Sequence, residues 1–110
     1  MLVDDILDSR FRLLTGSETG KRSYSGCYAG DLLSLVLKGA KADNLFVTVI
    51  ANMNTVAVAV LADLPCIIFC EGYQPTAEMI RKAEEERIAL VSTELNSVGV
   101  ILDLSRRGRI

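Results

Sequence analysis

Cys66 and Cys70 stand in a C-x3-C spacing, the one pattern in the chain that invites a metal reading. Within a strand, positions i and i+4 lie roughly 13 Å apart, too far to share one ion, so both are read as ordinary buried thiols. Cys27 has no local cysteine partner, and three cysteines make an odd number that does not match a disulfide scaffold. Histidine is absent. The chain therefore lacks the usual general base near neutral pH and cannot build an imidazole-dependent triad from its own residues. Gly26-Cys27-Tyr28-Ala29-Gly30 has neither the Lys-Ser/Thr ending of a P-loop nor the three-glycine spacing of the dinucleotide fingerprint. Gly20-Lys21 lacks an upstream glycine and is followed by Arg22, so it is read as the tip of a flexible surface loop.

A better physical case is the polar interruption at Asn52, Asn54 and Thr55 within the apolar run Val47 to Ala62. A helix starting there after a strand would bring free backbone N–H groups and two amides to the carboxyl edge of a sheet, where open α/β domains bind ligands. Asparagines also cap helices for structural reasons alone, and both readings stand. Glu71, Gly72, Tyr73, Thr93 and Glu94 follow two other predicted strands and would rim the same edge. No paired-carboxylate spacing supports acid catalysis by Glu71 or Glu94. The candidate ligand-binding residues are Asn52, Asn54, Thr55, Glu71, Gly72, Tyr73 and Thr93; no catalytic residue, metal or cofactor is expected.

The elements that must position these residues are short. Residues 1–8 pattern as an amphipathic helix, residues 11–15 as a strand closed by Gly16, and residues 17–23 as a polar loop. Residues 24–29 form a strand leading to a helix with Leu32, Leu33, Leu35, Val36 and Leu37 on its apolar side, Asp31 as its cap and Gly39 as its stop. Residues 44–50 read as a buried strand. The period of two in Val56-Ala57-Val58-Ala59-Val60 favours strand, yet a strand through both halves of the run would far exceed ordinary length. Residues 55–62 are therefore assigned to a helix, capped by Asn52 or Asn54 and buried almost all round. A strand at 66–70, a helix at 76–86, a strand at 88–91 and a last apolar element from Asn96 or Ser97 to Leu104 follow. This alternation predicts an α/β domain of two or three layers, with a mostly parallel sheet and crossover helices.

Composition bounds the function. Half of the 110 residues are hydrophobic against 24% charged, enough apolar surface for an ordered single domain spanning residues 1–110. The excess of Val, Ile, Leu and Ala predicts a second apolar face closed by self-association, with a homodimer favoured. A net charge of −2 offers no broad attraction for nucleic acid, and Arg106-Arg107-Gly108-Arg109 is read as a frayed, solvated tail. No secretory signal fits Met1 to Asp5, and no apolar run reaches the roughly 20 residues needed to span a bilayer; a cytoplasmic protein is expected.

Residues about 24–104 resemble the DRTGG domain family, which is similar to the amino-terminal domain of HPr kinase/phosphorylase and to a middle domain of some phosphotransacetylases. The resemblance rests on Tyr28-Ala29-Gly30-Asp31-Leu32-Leu33, Val47-Thr48-Val49 with Asn54 through Ala59, Cys70-Glu71-Gly72-Tyr73-Gln74-Pro75, and Val91-Ser92-Thr93. Where the name-giving Asp-Arg pair falls, this chain has Ala51-Asn52; where Thr-Gly-Gly falls, it has Cys70-Glu71-Gly72. The resemblance implies a regulatory or ligand-sensing module without catalysis, because the kinase chemistry of those enzymes belongs to a separate P-loop domain. It also implies a protein partner in a hydrogenase or metabolic regulatory system. The expectation is thus a non-catalytic regulatory or protein-interaction module, with a small-molecule or anion sensor at Asn52–Thr55 as the alternative.

Overall fold

The computed structural model describes residues 1–110 as a five-stranded sheet with helices on both faces. The strands are β1 (Arg12–Leu13), β2 (Cys27–Ala29), β3 (Leu45–Thr48), β4 (Cys66–Phe69) and β5 (Ala89–Ser92). The helices are α1 (Leu33–Gly39), α2 (Met53–Leu61), α3 (Ala77–Glu85) and α4 (Ser97–Arg106). The spatial order is β1-β5-β4-β3-β2; β2 to β5 run parallel and β1 joins the edge antiparallel.

Strand residues alternate between two cores because successive side chains point to opposite faces. Phe46, Ile67, Phe69 and Leu90 face Val36 of α1, Val56 and Ala59 of α2, and Met79 and Ala83 of α3. Leu45, Val47, Cys66, Ile68, Ala89 and Val91 face Val100 and Leu104 of α4, together with Val3, Ile6 and Phe11 from the amino-terminal segment. Both faces are covered, which explains why β3, β4 and β5 are buried at every position and read as continuous apolar runs. The result is three layers, as the mostly parallel α/β expectation allowed.

The helix assigned at 55–62 forms as α2, with Asn52 as its cap. Burial follows helical spacing and not the period of two: Thr55, Val56, Val58 and Ala59 are inward, while Ala57 and Val60 are exposed. The helices at 76–86 and after Asn96 form with Thr76 and Asn96 accepting backbone N–H bonds at their starts.

Four local readings are corrected. The residue 1–8 helix is one 3-10 turn at Val3–Ile6. Residues Ser17–Lys21 are not a flexible loop but a 3-10 turn: Thr19 Oγ1 meets Thr15 Oγ1 at 2.7 Å, and Gly20 is buried beside the Asp4 carboxylate. Asp31 does not cap α1, whose cap position is Leu32 without a side-chain bond; of the leucines expected inside, Leu32, Leu35 and Leu37 are exposed and Val36 alone is fully buried. The carboxyl-terminal arginines are not frayed. Arg107 donates to Asp103 and to the Ile6 carbonyl and lies over the Phe11 ring, while the Arg109 carbonyl accepts from the Tyr24 hydroxyl. Gly39 is the last residue of α1, and a Cβ there would come within 2.8 Å of the Tyr28 ring.

Candidate functional site

The carboxyl ends of the parallel strands feed four loops, and two cavities open among them. This edge is where a doubly covered parallel sheet leaves backbone and polar side chains exposed between its helix layers.

The larger cavity, about 320 Å3, lies between β1 and the turn after β5. Arg12 on β1 stands opposite Ser92 in the antiparallel register, which brings the arginine to the rim of that turn. Ser9 and Arg10 precede it, Thr93, Glu94 and Leu95 follow Ser92, and Gln74 approaches from the loop after β4. Leu95 is the one apolar residue among the eight that line it. Arg10 pairs with Asp103 of α4, whereas Arg12 makes no ion pair. Thr93 is buried and its hydroxyl oxygen accepts from the Leu95 N–H at 3.2 Å, which fixes the turn.

The second cavity, about 280 Å3, lies at the ends of β2, β3 and β4, and its ionisable lining is acidic: Asp31 and Glu71, with Thr48 and Ser97 beside them. Asp31 Oδ1 accepts from Thr48 Oγ1 at 2.9 Å and from the Val49 N–H at 3.0 Å. Cys70 sits nearby, its thiol pushed up to about 11 by burial first and by the negative charges of Asp31 and Glu71 second. Burial alone raises Cys66 and Cys27. Thiols so disfavoured as thiolates are poor nucleophiles and poor metal ligands. No group of three or more His, Cys, Asp or Glu side chains converges in the fold.

Glu71 and Gly72 both adopt left-handed backbone, with φ of 58° and 75°. Their N–H groups donate to the carbonyls of Leu95 and Thr93. This pair of bonds joins the β4 and β5 loops, so Gly72 holds the turn that brings Glu71 to one cavity and Gln74 to the other.

The structure brings only some of the expected site residues together. Thr93 lines the larger cavity and Glu71 the smaller; Gly72 forms the turn between them, and Tyr73 is exposed on that turn. Asn52, Asn54 and Thr55 line neither cavity. The Asn52 side-chain oxygen accepts from the N–H groups of Asn54 and Thr55 at 2.9 and 3.3 Å, and Thr55 Oγ1 donates to the Ile50 carbonyl at 2.6 Å. These donors are occupied within the chain. Arg10, Arg12, Gln74, Asp31 and Ser97 were not anticipated as site residues. Arg12 lay within a strand already anticipated, but only the β1–β5 register, invisible in the sequence, sets it beside Ser92.

Residues 50–106 match the family model described as HPr Serine kinase N terminus. Comparison with curated proteins finds no match. Among solved structures, the chain is similar to the CBS and DRTGG domains of the regulatory region of Clostridium perfringens pyrophosphatase, a structure complexed with the activator diadenosine tetraphosphate. The TM-score is 0.73 at 14% identity, covering 91% of this chain and 43% of that one, so the likeness shows a shared fold over less than half of the larger protein. The shared fold agrees with the DRTGG-like architecture that the sequence resembles. The match runs from just after β3 through α4, more than half the chain, and the protein belongs to the HPr Serine kinase N-terminal domain family.

Proposed function

We propose that this domain is a non-catalytic regulatory module that binds a small polar ligand in the cavity between β1 and the β5 turn. The carrying observation is the cavity itself: about 320 Å3, a single apolar lining residue, two arginines, and hydroxyl and amide groups placed by rigid strand ends. That volume falls at the small end of ligand sites, and its polar lining suits a hydrophilic metabolite. The similar pyrophosphatase regulatory region was crystallised with a nucleotide activator, which supports a sensing role for this fold without identifying this chain's ligand. Thr93 is assigned to the wall of this cavity, Gly72 and Tyr73 to the turn beside it, and Glu71 to the smaller neighbouring cavity. Asn52, Asn54 and Thr55 are assigned to the neighbouring helix start, where they hold the backbone in shape.

A thermal-shift screen of neutral, cationic and anionic metabolites tests this reading, because a ligand selective for the folded state raises the melting temperature. Ser9→Trp, at an exposed position on the cavity wall, fills the space whatever the ligand's charge. At least one compound should stabilise the natural chain and not the variant. A screen without hits, or hits that survive the tryptophan, overturns the assignment.

A second reading concerns self-association. Leu32 at the cap of α1, Leu35 and Leu37 within it, and Leu61 on α2 are all exposed, Leu61 at 75%. We propose that these exposed leucines of the α1 and α2 region meet a second copy, consistent with the excess of aliphatic residues in the composition. Light scattering across a concentration series should find a dimer that Leu35→Lys and Leu61→Lys dissociate; a monomer throughout would overturn it.

A further inference from the structure

We infer that the cavity's ligand carries a phosphate monoester, and that Arg10 leaves Asp103 for that phosphate when the cavity fills. This rests on the ligand-binding reading above. Two guanidinium groups with fixed forks of donors favour a tetrahedral oxyanion over a neutral ligand. Arg12 makes no ion pair, and Arg10, 54% exposed at its side chain, reaches the same wall. Ser92 and Thr93 are buried, yet the Ser92 hydroxyl makes no bond within the chain and the Thr93 hydroxyl proton has no acceptor. Two guanidinium groups and two hydroxyl donors match the three oxygens of a phosphate better than the two of a carboxylate. Glu94, the one carboxylate of the lining, accepts from a hydroxyl elsewhere on the ligand. The volume fits a sugar phosphate.

Arg10 can be released cheaply because Asp103 is held twice. Its Oδ1 takes Arg10, and its Oδ2 takes Arg107 Nε at 2.9 Å. Arg107 also lies 3.7 Å from Asp8 and donates to the Ile6 carbonyl. Arg10 also lies 4.0 Å from Asp8, so its departure leaves Asp8 and Asp103 sharing Arg107; Asp103 keeps one charged partner and is not stranded. The same exchange ties cavity occupancy to the last turn of α4.

Calorimetric titration of the full chain with ribose 5-phosphate, ribose and inorganic phosphate is the test. Ribose 5-phosphate should bind, inorganic phosphate should bind more weakly, and ribose should not bind. Arg12→Gln should weaken ribose 5-phosphate at least roughly tenfold. Asp103→Asn, which loosens the hold on Arg10, should tighten it about fivefold. Should that variant unfold, hydrogen exchange in the natural chain replaces it: the Arg107 amide, bonded to the Asp103 carbonyl, should exchange faster with ribose 5-phosphate bound. Equal binding of ribose and its phosphate, no saturable binding of the phosphate up to about 10 mM, or indifference to Arg12→Gln overturns the ligand class. Unchanged affinity in a folded Asp103→Asn protein, or unchanged exchange at Arg107, overturns the Arg10 transfer. A neutral or cationic ligand blocked by Ser9→Trp would sink this inference and leave the ligand-binding reading standing.

Discussion

Asp31 accepts a hydrogen bond from Thr48 Oγ1 at 2.9 Å, tying the loop after β2 to the end of β3. The same carboxylate oxygen takes the Val49 N–H as the backbone leaves the sheet. Asp31→Ala should therefore cost about 1–3 kcal/mol, because it removes charge-assisted acceptors from an almost fully buried threonine. Urea denaturation measures this as a lower midpoint with an unchanged slope. A neutral substitution would mean that water replaces the carboxylate without loss.

Asn52→Ala should lower stability by about 1 kcal/mol, the usual value of a helix cap, by releasing the Asn54 and Thr55 N–H groups. It should leave ligand affinity at the β1–β5 cavity unchanged. Lost affinity in a stable Asn52→Ala protein would return the binding site to the Asn52–Thr55 junction.

Gly72→Ala should cost about 1–2 kcal/mol, since φ of 75° is unfavourable for an L side chain. The new Cβ would also come 2.8 Å from Glu94 Oε2, forcing that side chain to move. Because Gly72 joins the two loops, ligand affinity should fall together with the melting temperature. A stable variant with full affinity would show that the turn does not position the cavity.

Stability should fall on the alkaline side. Cys66 and Cys70 are both raised above the ordinary thiol value of 9.0, mainly by burial, so folding favours their protonated forms. Their stabilising contribution is full below pH 9.0 and is lost as pH rises, for Cys70 through about 11. Each thiol should contribute a slope of up to about 1.4 kcal/mol per pH unit within its own window. Cys70→Ala should flatten the melting-temperature profile between pH 9 and 11. With no histidine in the chain, none contributes a slope near neutrality.

Much of the architecture was legible because its signals are local. The apolar strands Leu45–Thr48 and Cys66–Phe69 and the caps at Asn52, Thr76 and Asn96 each announce themselves within a few residues. Asp31 misled because a capping carboxylate and a loop-tying carboxylate look alike until Thr48, seventeen residues away, is placed in space. The carboxyl-terminal arginines misled similarly, since Phe11 and Ile6 are their partners across nearly the whole chain. Thr93 and Glu71 were legible as strand-end residues. Arg10 and Arg12 were not, because an antiparallel edge strand of two residues carries no pattern that fixes its partner.

Binding of a small polar ligand is assigned to the cavity between β1 and the β5 turn. The most direct measurement is the metabolite thermal-shift screen run side by side on the natural chain, Ser9→Trp and Asn52→Ala. At least one compound should stabilise the natural chain and Asn52→Ala equally and have no effect on Ser9→Trp. Stabilisation that persists in Ser9→Trp and disappears in Asn52→Ala would contradict this assignment.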